Sequence, residues 1–445
     1  MKPANVEEYF NEVAALLDRS VAAGEIYTCR LDAEVSDFVR LNRGKVRQPG
    51  TVAQCYLRLH LIAGGRHAEQ CLTVAGDLVQ DRAAIAAALT TLRTTIAALP
   101  DDPHLSFAID IRPSRVVRSS SLPAGEEIVE TMLDAADGLD LVGIYAGGPV
   151  YRGFANSFGQ RNWHEVRSFN LQWSLYHRAD KAVKTVYGGF DWAFETFAAK
   201  MTGARERLAL LTRPSRSLKP GRYRAYLTPT AMEEIAGMLC WGGFAGRALQ
   251  TRQSCLFRLK DGTTALDPSV AFTEHTAEGI APAFQDEGFV RPQAVPLVTE
   301  GRMVGSLISP RTAREFELSQ NGANAPEMPE SLDMAAGDLA SDDAMAALDT
   351  GLYVGNLWYL NFSDRPACRL TGMTRFASFW VEGGKIVAPV DVMRFDDSVF
   401  RLLGDQLVGL TADRELLVNG ETYRARNISS MRLPGAVVRD MAFTL

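Results

Sequence analysis

The chain has 445 residues, 47% of them apolar, enough to bury a sizeable core divided over more than one domain. Its 47 basic and 53 acidic residues leave a formal charge of −6, which argues against a general binder of nucleic-acid backbones. No apolar run approaches the ~20 residues of a membrane-spanning helix, and the cysteines at 29, 55, 71, 240, 255 and 368 form no CxxC pair. With an amphipathic, acidic opening segment in place of an apolar signal, the expectation is a cytoplasmic protein with neither membrane nor nucleic acid as a partner.

Apolar residues at Phe10, Val13, Leu16, Leu17 and Val21 fall at helical spacing, so a helix is predicted from Val6 to Ala23. From Glu25 the pattern changes to alternation broken by glycine turns, the mark of an antiparallel sheet. Asp81 is expected to cap the alanine-rich helix that follows, and AGEEIVETMLDAADGL forms another. A strand-rich run extends from Leu141 to about Thr185, with turns at Asn156 and Gly159, before helix returns over Trp192 to Leu211. The Pro, Gly and basic residues of RPSRSLKPGRYRAYLTPT place a boundary near 205 to 220. The fold class is therefore α+β: an N-terminal α/β domain over residues 1–210 with an antiparallel sheet and flanking helices, then a β-rich domain over 211–445, barrel-like or sandwich. The polar stretch 319–343 reads as a long connection, a functional loop or disorder.

At the start of the second half, LTPTAMEEIAGMLCWGGFAGRAL (227–249) is a proline-started helix followed by a glycine-rich turn. Met232, Ile235, Met238 and Leu239 are expected to be buried, with Gly242 and Gly243 permitting a turn or a close approach. The pair Glu233, Glu234 invites a catalytic reading, yet no histidine occurs between His177 and His275.

Other candidates carry weaker signals. His164 and Glu165 in WHEV are half of an H-E-x-x-H zinc helix, but the second histidine is missing and the flanking alternation places them on a strand. His60 and His67 flank a hairpin turn and lack a third ligand. The sequence contains no G-x-S-x-G elbow, no P-loop and no dinucleotide fingerprint. FQDEG at 284–288 reads as a solvated acidic turn, and Arg369, Arg375 and Arg394 as surface or ion-pair residues able to hold a peptide carboxylate. Trp358, Tyr359, Phe379 and Trp380 are expected in the core or at a subunit interface.

FVRLNRGKVRQPG, GFANSFGQ (153–160), LKPGRYRAYLTPTAMEE (218–234), FQDEG, SQNGANAP (319–326) and LTGMTRFASFWVEGGKIVAPV from Leu370 together resemble, in order and over nearly the whole chain, the TldD/TldE (PmbA) family. That resemblance implies a division between a catalytic TldD-type subunit, with HExxxH and a later cysteine as zinc ligands, and a TldE-type subunit without them. The matching window here, Ala231 to Gly246, offers Glu233, Glu234 and Cys240 but no histidine, and Cys368 precedes Thr371 and Gly372, leaving Ala377 or Ser378 near the place of the late cysteine.

The resemblance therefore implies a TldE-like chain with no catalytic, metal or cofactor residues of its own. Zinc is expected in a TldD-like partner carrying HExxxH, with an extended, unfolded peptide as substrate, leader segments of modified peptide natural products included. Two alternatives remain open at this point: a self-sufficient hydrolase drawing on Glu165, Asp286 or Glu287, and a non-enzymatic homodimer that binds peptides.

Overall fold

The computed structural model describes residues 5–178 and 181–444, so the first four residues of the opening segment lie outside it. The first half comprises α1 (Val6–Ser20), β1 (Glu25–Asn42), β2 (Lys45–Ala63), β3 (Arg66–Thr73), α2 (Leu78–Ala97), β4 (Ser114–Arg118), α3 (Gly125–Ala135), β5 (Asp140–Asn156), β6 (Arg161–Arg178), β7 (Lys181–Gly189) and α4 (Phe194–Leu211). Its strands form one sheet in the order β3-β2-β1-β5-β6-β4, with β7 also paired to β6. Strand β6 serves two partners along one edge, β4 beside residues 162–166 and β7 beside 169–178.

Helix α1 stops at Ser20, short of the expected Ala23, because Val21 turns extended and Gly24 takes a left-handed conformation at φ 85°. Asp81 does not cap α2. Asp77 does, accepting from the amides of Val79 and Gln80, while Asp81 lies one turn inside, buried, and reaches back to the amides of Ala75, Gly76 and Asp77 and to the Tyr9 hydroxyl.

Period-two alternation divides the sheet's residues between its faces. Cys29, Leu31, Val39 and Leu41 on β1, Leu141, Tyr145 and Tyr151 on β5, and Trp163, Phe169 and Trp173 on β6 all belong to apolar clusters built with the four helices. The other face carries Arg30, Asp32, Glu34, Ser36, Arg152 and His164, and the second half of the chain packs on it.

The second half contains β8 (Gly221–Leu227), α5 (Pro229–Cys240), α6 (Gly246–Gln250), α7 (Phe257–Lys260), β9 (Phe272–Glu274), β10 (Val295–Thr299), β11 (Arg302–Met303), α8 (Pro310–Phe316), β12 (Ser331–Met334), α9 (Ala344–Leu348), β13 (Gly351–Asp364), β14 (Arg369–Glu382), β15 (Lys385–Pro389), β16 (Arg394–Ser398), α10 (Val399–Leu402), β17 (Leu407–Val418) and β18 (Ser430–Phe443). Eleven strands form the second sheet, and β8 pairs with both β13 and β18, closing a ring through β14 and β16. Of the two expected forms, the structure adopts the barrel. The stretch 319–343 is not an unpacked connection: it contains β12, parallel to β18, and the buried Glu327 accepts from the amides of Arg247 and Ser309 at the starts of α6 and α8. Among the described residues no helix is long and apolar enough to cross a membrane.

The halves are joined through Arg426, on the segment between β17 and β18, which enters the polar face of the first sheet. Its Nε donates to Ser36 Oγ at 2.8 Å, Nη1 to the Ser168 carbonyl at 2.7 Å and Nη2 to the Gly148 carbonyl at 2.5 Å, with the Glu34 carboxylate 3.6 Å away. Both members of this ion pair are buried. Arg426→Met should cost about 3–5 kcal/mol in urea unfolding, since the Glu34 charge is left buried without its partner. Adding Glu34→Gln should recover part of that loss, and a single variant within about 1 kcal/mol of the parent would refute the anchor.

Candidate functional site

Helix α5 starts where Thr228 Oγ1 accepts from the Ala231 amide and Pro229 occupies the first turn, where its missing N–H costs nothing. Met232, Ile235, Met238 and Leu239 are buried as expected, packing the helix against β8, β13, β17 and β18. Gly242 has φ 78°, and a Cβ on Gly243 would stand 2.3 Å from the Leu239 carbonyl oxygen, so both glycines are required for the turn that ends the helix.

This packing leaves Glu233, Glu234 and Gly237 on the face turned toward the first sheet. They line a cavity of about 330 Å³ whose opposite side includes Gln172 of β6 and Lys184 of β7. Among the described residues neither carboxylate takes a hydrogen bond or an ion pair. Burial raises the Glu233 carboxyl to about 7, with Lys184 pulling it down and Glu234 pushing it further up. Burial raises Glu234 as well, against the same lysine.

Gln172 and Lys184 belong to a patch on the polar face of the first sheet that extends beyond this cavity. Register places Arg40 opposite Ile144 and Ile144 opposite Gln172, with Val142 opposite Ser174 and Ser174 opposite Lys184. Lys184 borders two further cavities, one beside Lys200 and Arg207, the other beside Arg40, Arg47, Trp358 and Arg375. Together they form a canyon between the sheet and the barrel, with α5 on one wall.

The donors near α5 do not fit a catalytic zinc, which needs three strong protein ligands and an open position. Glu233 and Glu234 are adjacent oxygen donors with no imidazole near them. Cys240 is buried in the barrel core, and the Cys368 thiol shares a hydrogen bond with Cys255. Ala377 and Ser378 are buried and add no strong ligand. Among the described residues no group of three or more His, Cys, Asp or Glu could hold a metal.

The remaining candidates are dispersed. His164 is buried on β6 as a strut between the halves, its Nε2 3.0 Å from the Ile280 carbonyl oxygen, and burial depresses its pKa to about 4. Glu165 points to the opposite face of the same strand, so WHEV never gathers its two groups. His60 and His67 are 2.8 Å apart, and His67 continues to Asp102 at 3.1 Å, which in turn pairs with Arg311 at 2.7 Å. Direct hydrogen bonding between the rings makes this a polar chain, not a ligand set.

The FQDEG turn is not simply solvated. Asp286 is ion-paired with Arg30, the Gly288 carbonyl accepts from Gln160 at 2.7 Å, and a Cβ on Gly288 would stand 2.4 Å from the Phe154 ring. Glu165 thus lies across the sheet from Asp286, and Glu165, Asp286 and Glu287 do not converge. Arg369 is held by Asp396, and Arg394 donates to Thr371 Oγ1 at 3.0 Å. Among the described residues Arg375 has no such bond, and its guanidinium is 3.9 Å from the centre of the Trp358 ring. Phe379 and Trp380 are in the core, but Trp358 and Tyr359 are 43% and 78% exposed, so the core reading fails for that pair. Gln172 and Lys184 belong to no motif and are marked only by period-two alternation, while Arg40 and Arg47 lie in FVRLNRGKVRQPG without having been singled out.

Comparison with known proteins completes the description. The family model for the PmbA/TldA metallopeptidase C-terminal domain matches residues 220–445. No curated protein matches the sequence. Among solved structures, the fold is similar to TldE from Thermococcus kodakarensis at 13% identity and TM-score 0.78, over 98% of this chain and 100% of that one. It is also similar to a protein named as a modulator of DNA gyrase from Thermotoga maritima, at 13% identity and TM-score 0.76 over 98% and 100% of the chains. A third, named likewise, from Bacteroides thetaiotaomicron, matches at 16% and 0.74 over 99% and 98%. At these identities the structural likeness is one of fold.

The raised Glu233 carboxyl makes stability depend on pH. Its folded value of about 7 lies above the ordinary 4.5, so the folded state binds more protons between these limits and stability falls as pH rises through them. Glu233→Gln should therefore melt higher than the parent at pH 8, by about 1–2 kcal/mol after allowing for solvent screening. Most of the difference should vanish by pH 5. An equal gain at both pH values would show that the carboxyl is not perturbed.

Proposed function

This chain belongs to the PmbA/TldD metallopeptidase family, and we propose that it is a TldE-type, non-catalytic subunit whose canyon helps to hold an extended peptide while a TldD-type partner supplies the zinc. The observation that carries this reading is α5 itself. It faces the canyon at the position that the family resemblance assigns to the metal helix, and it presents Glu233 and Glu234 without any histidine. Fold likeness is a weaker support, because the resemblance implies that catalytic and non-catalytic chains share one fold.

In this role the chain contributes shape and surface. A peptide lying along the canyon would be kept extended between the polar sheet face and the barrel, where main-chain hydrogen bonds give affinity and side-chain pockets give selectivity. A closed chamber between the two subunits would exclude folded proteins. Hydrolysis would use the partner's HExxxH helix, whose glutamate is the general base and whose zinc activates water. Unfolded peptides, including leader segments of modified peptide natural products, are the substrate class.

The test is metal content and peptidase activity, measured on the chain alone and after mixing with a TldD-type partner. The chain alone should carry no stoichiometric zinc and cleave nothing. The mixture should cleave an unfolded peptide, lose activity to a chelator and to Glu→Gln in the partner's HExxxH, and keep it with Glu233→Gln in this chain. Cleavage by the isolated chain would replace this reading with that of a self-sufficient hydrolase.

A further inference from the structure

We propose that the open end of the canyon is a binding site for acidic side chains of an extended peptide, which deepens the peptide-holding role and rests on it. The site is the cavity of about 520 Å³ between the ends of β1, β5 and β6 and the bulged β13–β14 hairpin. Its lining carries four cations, Arg40, Arg47, Lys184 and Arg375, and no aspartate or glutamate. That composition is unexpected by chance in a chain with more acids than bases.

These cations are also uncommitted. Among the described residues none of the four forms an ion pair, whereas Arg369, Arg401, Arg414, Arg426 and Arg432 all do. Lys184 feels Glu233 and Glu234 only from beyond ion-pair distance. Arg375 lies over Trp358 at 3.9 Å and near Phe376 at 5.2 Å, so its plane is held by the rings while its N–H edges stay unbonded. The hairpin is shaped for this: register shifts between Trp358 and Asn361, and Tyr359 and Phe376 have φ of 57° and 62°, which turns the Trp358 and Arg375 pair out of the barrel wall.

Like charges gathered without counter-ions call for an anion, and guanidinium forks match carboxylates in geometry. A carboxylate-bearing peptide suits the site better than a polyphosphate chain. Through Lys184 and Gln172 the cavity runs into the one beneath α5, where the lining offers Glu233 and Glu234 and no cation besides Lys184, so a continuous polyanion finds no further row of positive charge to follow. Apolar surface from Val142, Ile144 and Trp358 lies between the cations, as alternating side chains of an extended peptide require. The canyon is thus electrically polar along its length, with its cationic end taking acidic residues and its α5 end taking neutral or basic ones.

Calorimetric titration of the full chain tests this with three ten-residue peptides that share their apolar residues and carry Glu, Gln or Lys at alternate positions. The Glu peptide should bind at least tenfold more tightly than the Gln peptide at low salt, and the difference should shrink at high salt. Arg40→Gln with Arg47→Gln should lower affinity for the Glu peptide at least fivefold and leave the Gln peptide unaffected. Both side chains are exposed, so the fold should persist, and the charge-matched pair Arg19→Gln with Arg82→Gln, away from the canyon, should change nothing. Equal binding of the Glu and Gln peptides, no binding at all, or an equal loss in the control pair would overturn the site. Tighter binding of a ten-residue oligothymidylate that responds to the same Arg40 and Arg47 changes would overturn it in favour of a general polyanion groove. Mass spectrometry of each titrated sample separates the two proposals: cleaved peptide refutes the non-catalytic reading, whereas intact but unbound Glu peptide refutes only the acidic site.

Discussion

Burial of the polar face of the first sheet is the constraint on which the rest of the architecture depends. An antiparallel sheet with helices on one side usually leaves its other side to water, and the charges on Arg30, Asp32, Glu34 and Arg152 suit that arrangement. Here the second half of the chain covers much of that face, so each buried charge must find a partner. Arg426 meets the largest part of this demand, bonding Ser36, Ser168 and Gly148 beside Glu34. Asp32 is matched by Arg30 and Arg152 at 2.8 and 2.9 Å, and His164 stays neutral against the Ile280 carbonyl. The halves are consequently registered by directional polar contacts, set among apolar clusters that also cross between them, Val150 and Val166 with Ile280, Val418 and Ile428, and Phe197 and Met201 with Ala377 and Phe379.

Coverage of that face is incomplete, and the canyon is the part left open. Arg40, Ile144 and Gln172 lie in register across β1, β5 and β6 past the edge of the barrel, with Lys184 opposite Ser174 one step along, and among the described residues neither Arg40 nor Lys184 has an ion-pair partner. The unpaired cations at one end and the unpaired carboxylates beneath α5 at the other therefore have one origin. In both places charged groups face a cavity of ligand size, about 520 Å³ at the cationic end and about 330 Å³ beneath α5.

Helix α5 shows how packing fixes the place of a side chain independently of the chemistry it carries. Its cap, its apolar stripe and its two terminal glycines are all needed to pack it into the barrel, and they place residues 233, 234 and 237 at the canyon whatever their identity. Carboxylates placed there without imidazoles do not make the donor set of a catalytic zinc, and burial drives them toward protonation. The proposed division of labour between two chains follows from that donor chemistry, since a wall needs shape from this helix but a hydrolytic centre would need nitrogen ligands as well.

Much of the fold was legible in the sequence, because local rules govern it. Helical spacing from Val6, alternation from Glu25 and the Pro229 start of α5 each depend on neighbours a few residues away, and so did the burial of Met232, Ile235 and Leu239. Misreadings arose where a distant partner decided the outcome: Glu327 ties the stretch 319–343 to two helix starts, and Arg30 and Phe154 receive the FQDEG turn. Alternation could assign Glu34 and His164 to the polar face but could not say that a barrel would cover it. The sequence by itself determined the elements, their apolar faces and the absence of histidine from α5, all properties of short windows. Only the tertiary structure decided that Arg40, Arg47, Lys184 and Arg375, spread over more than three hundred positions, would stand around one cavity, because strand pairing and the packing of two halves bring them together and no local preference encodes either.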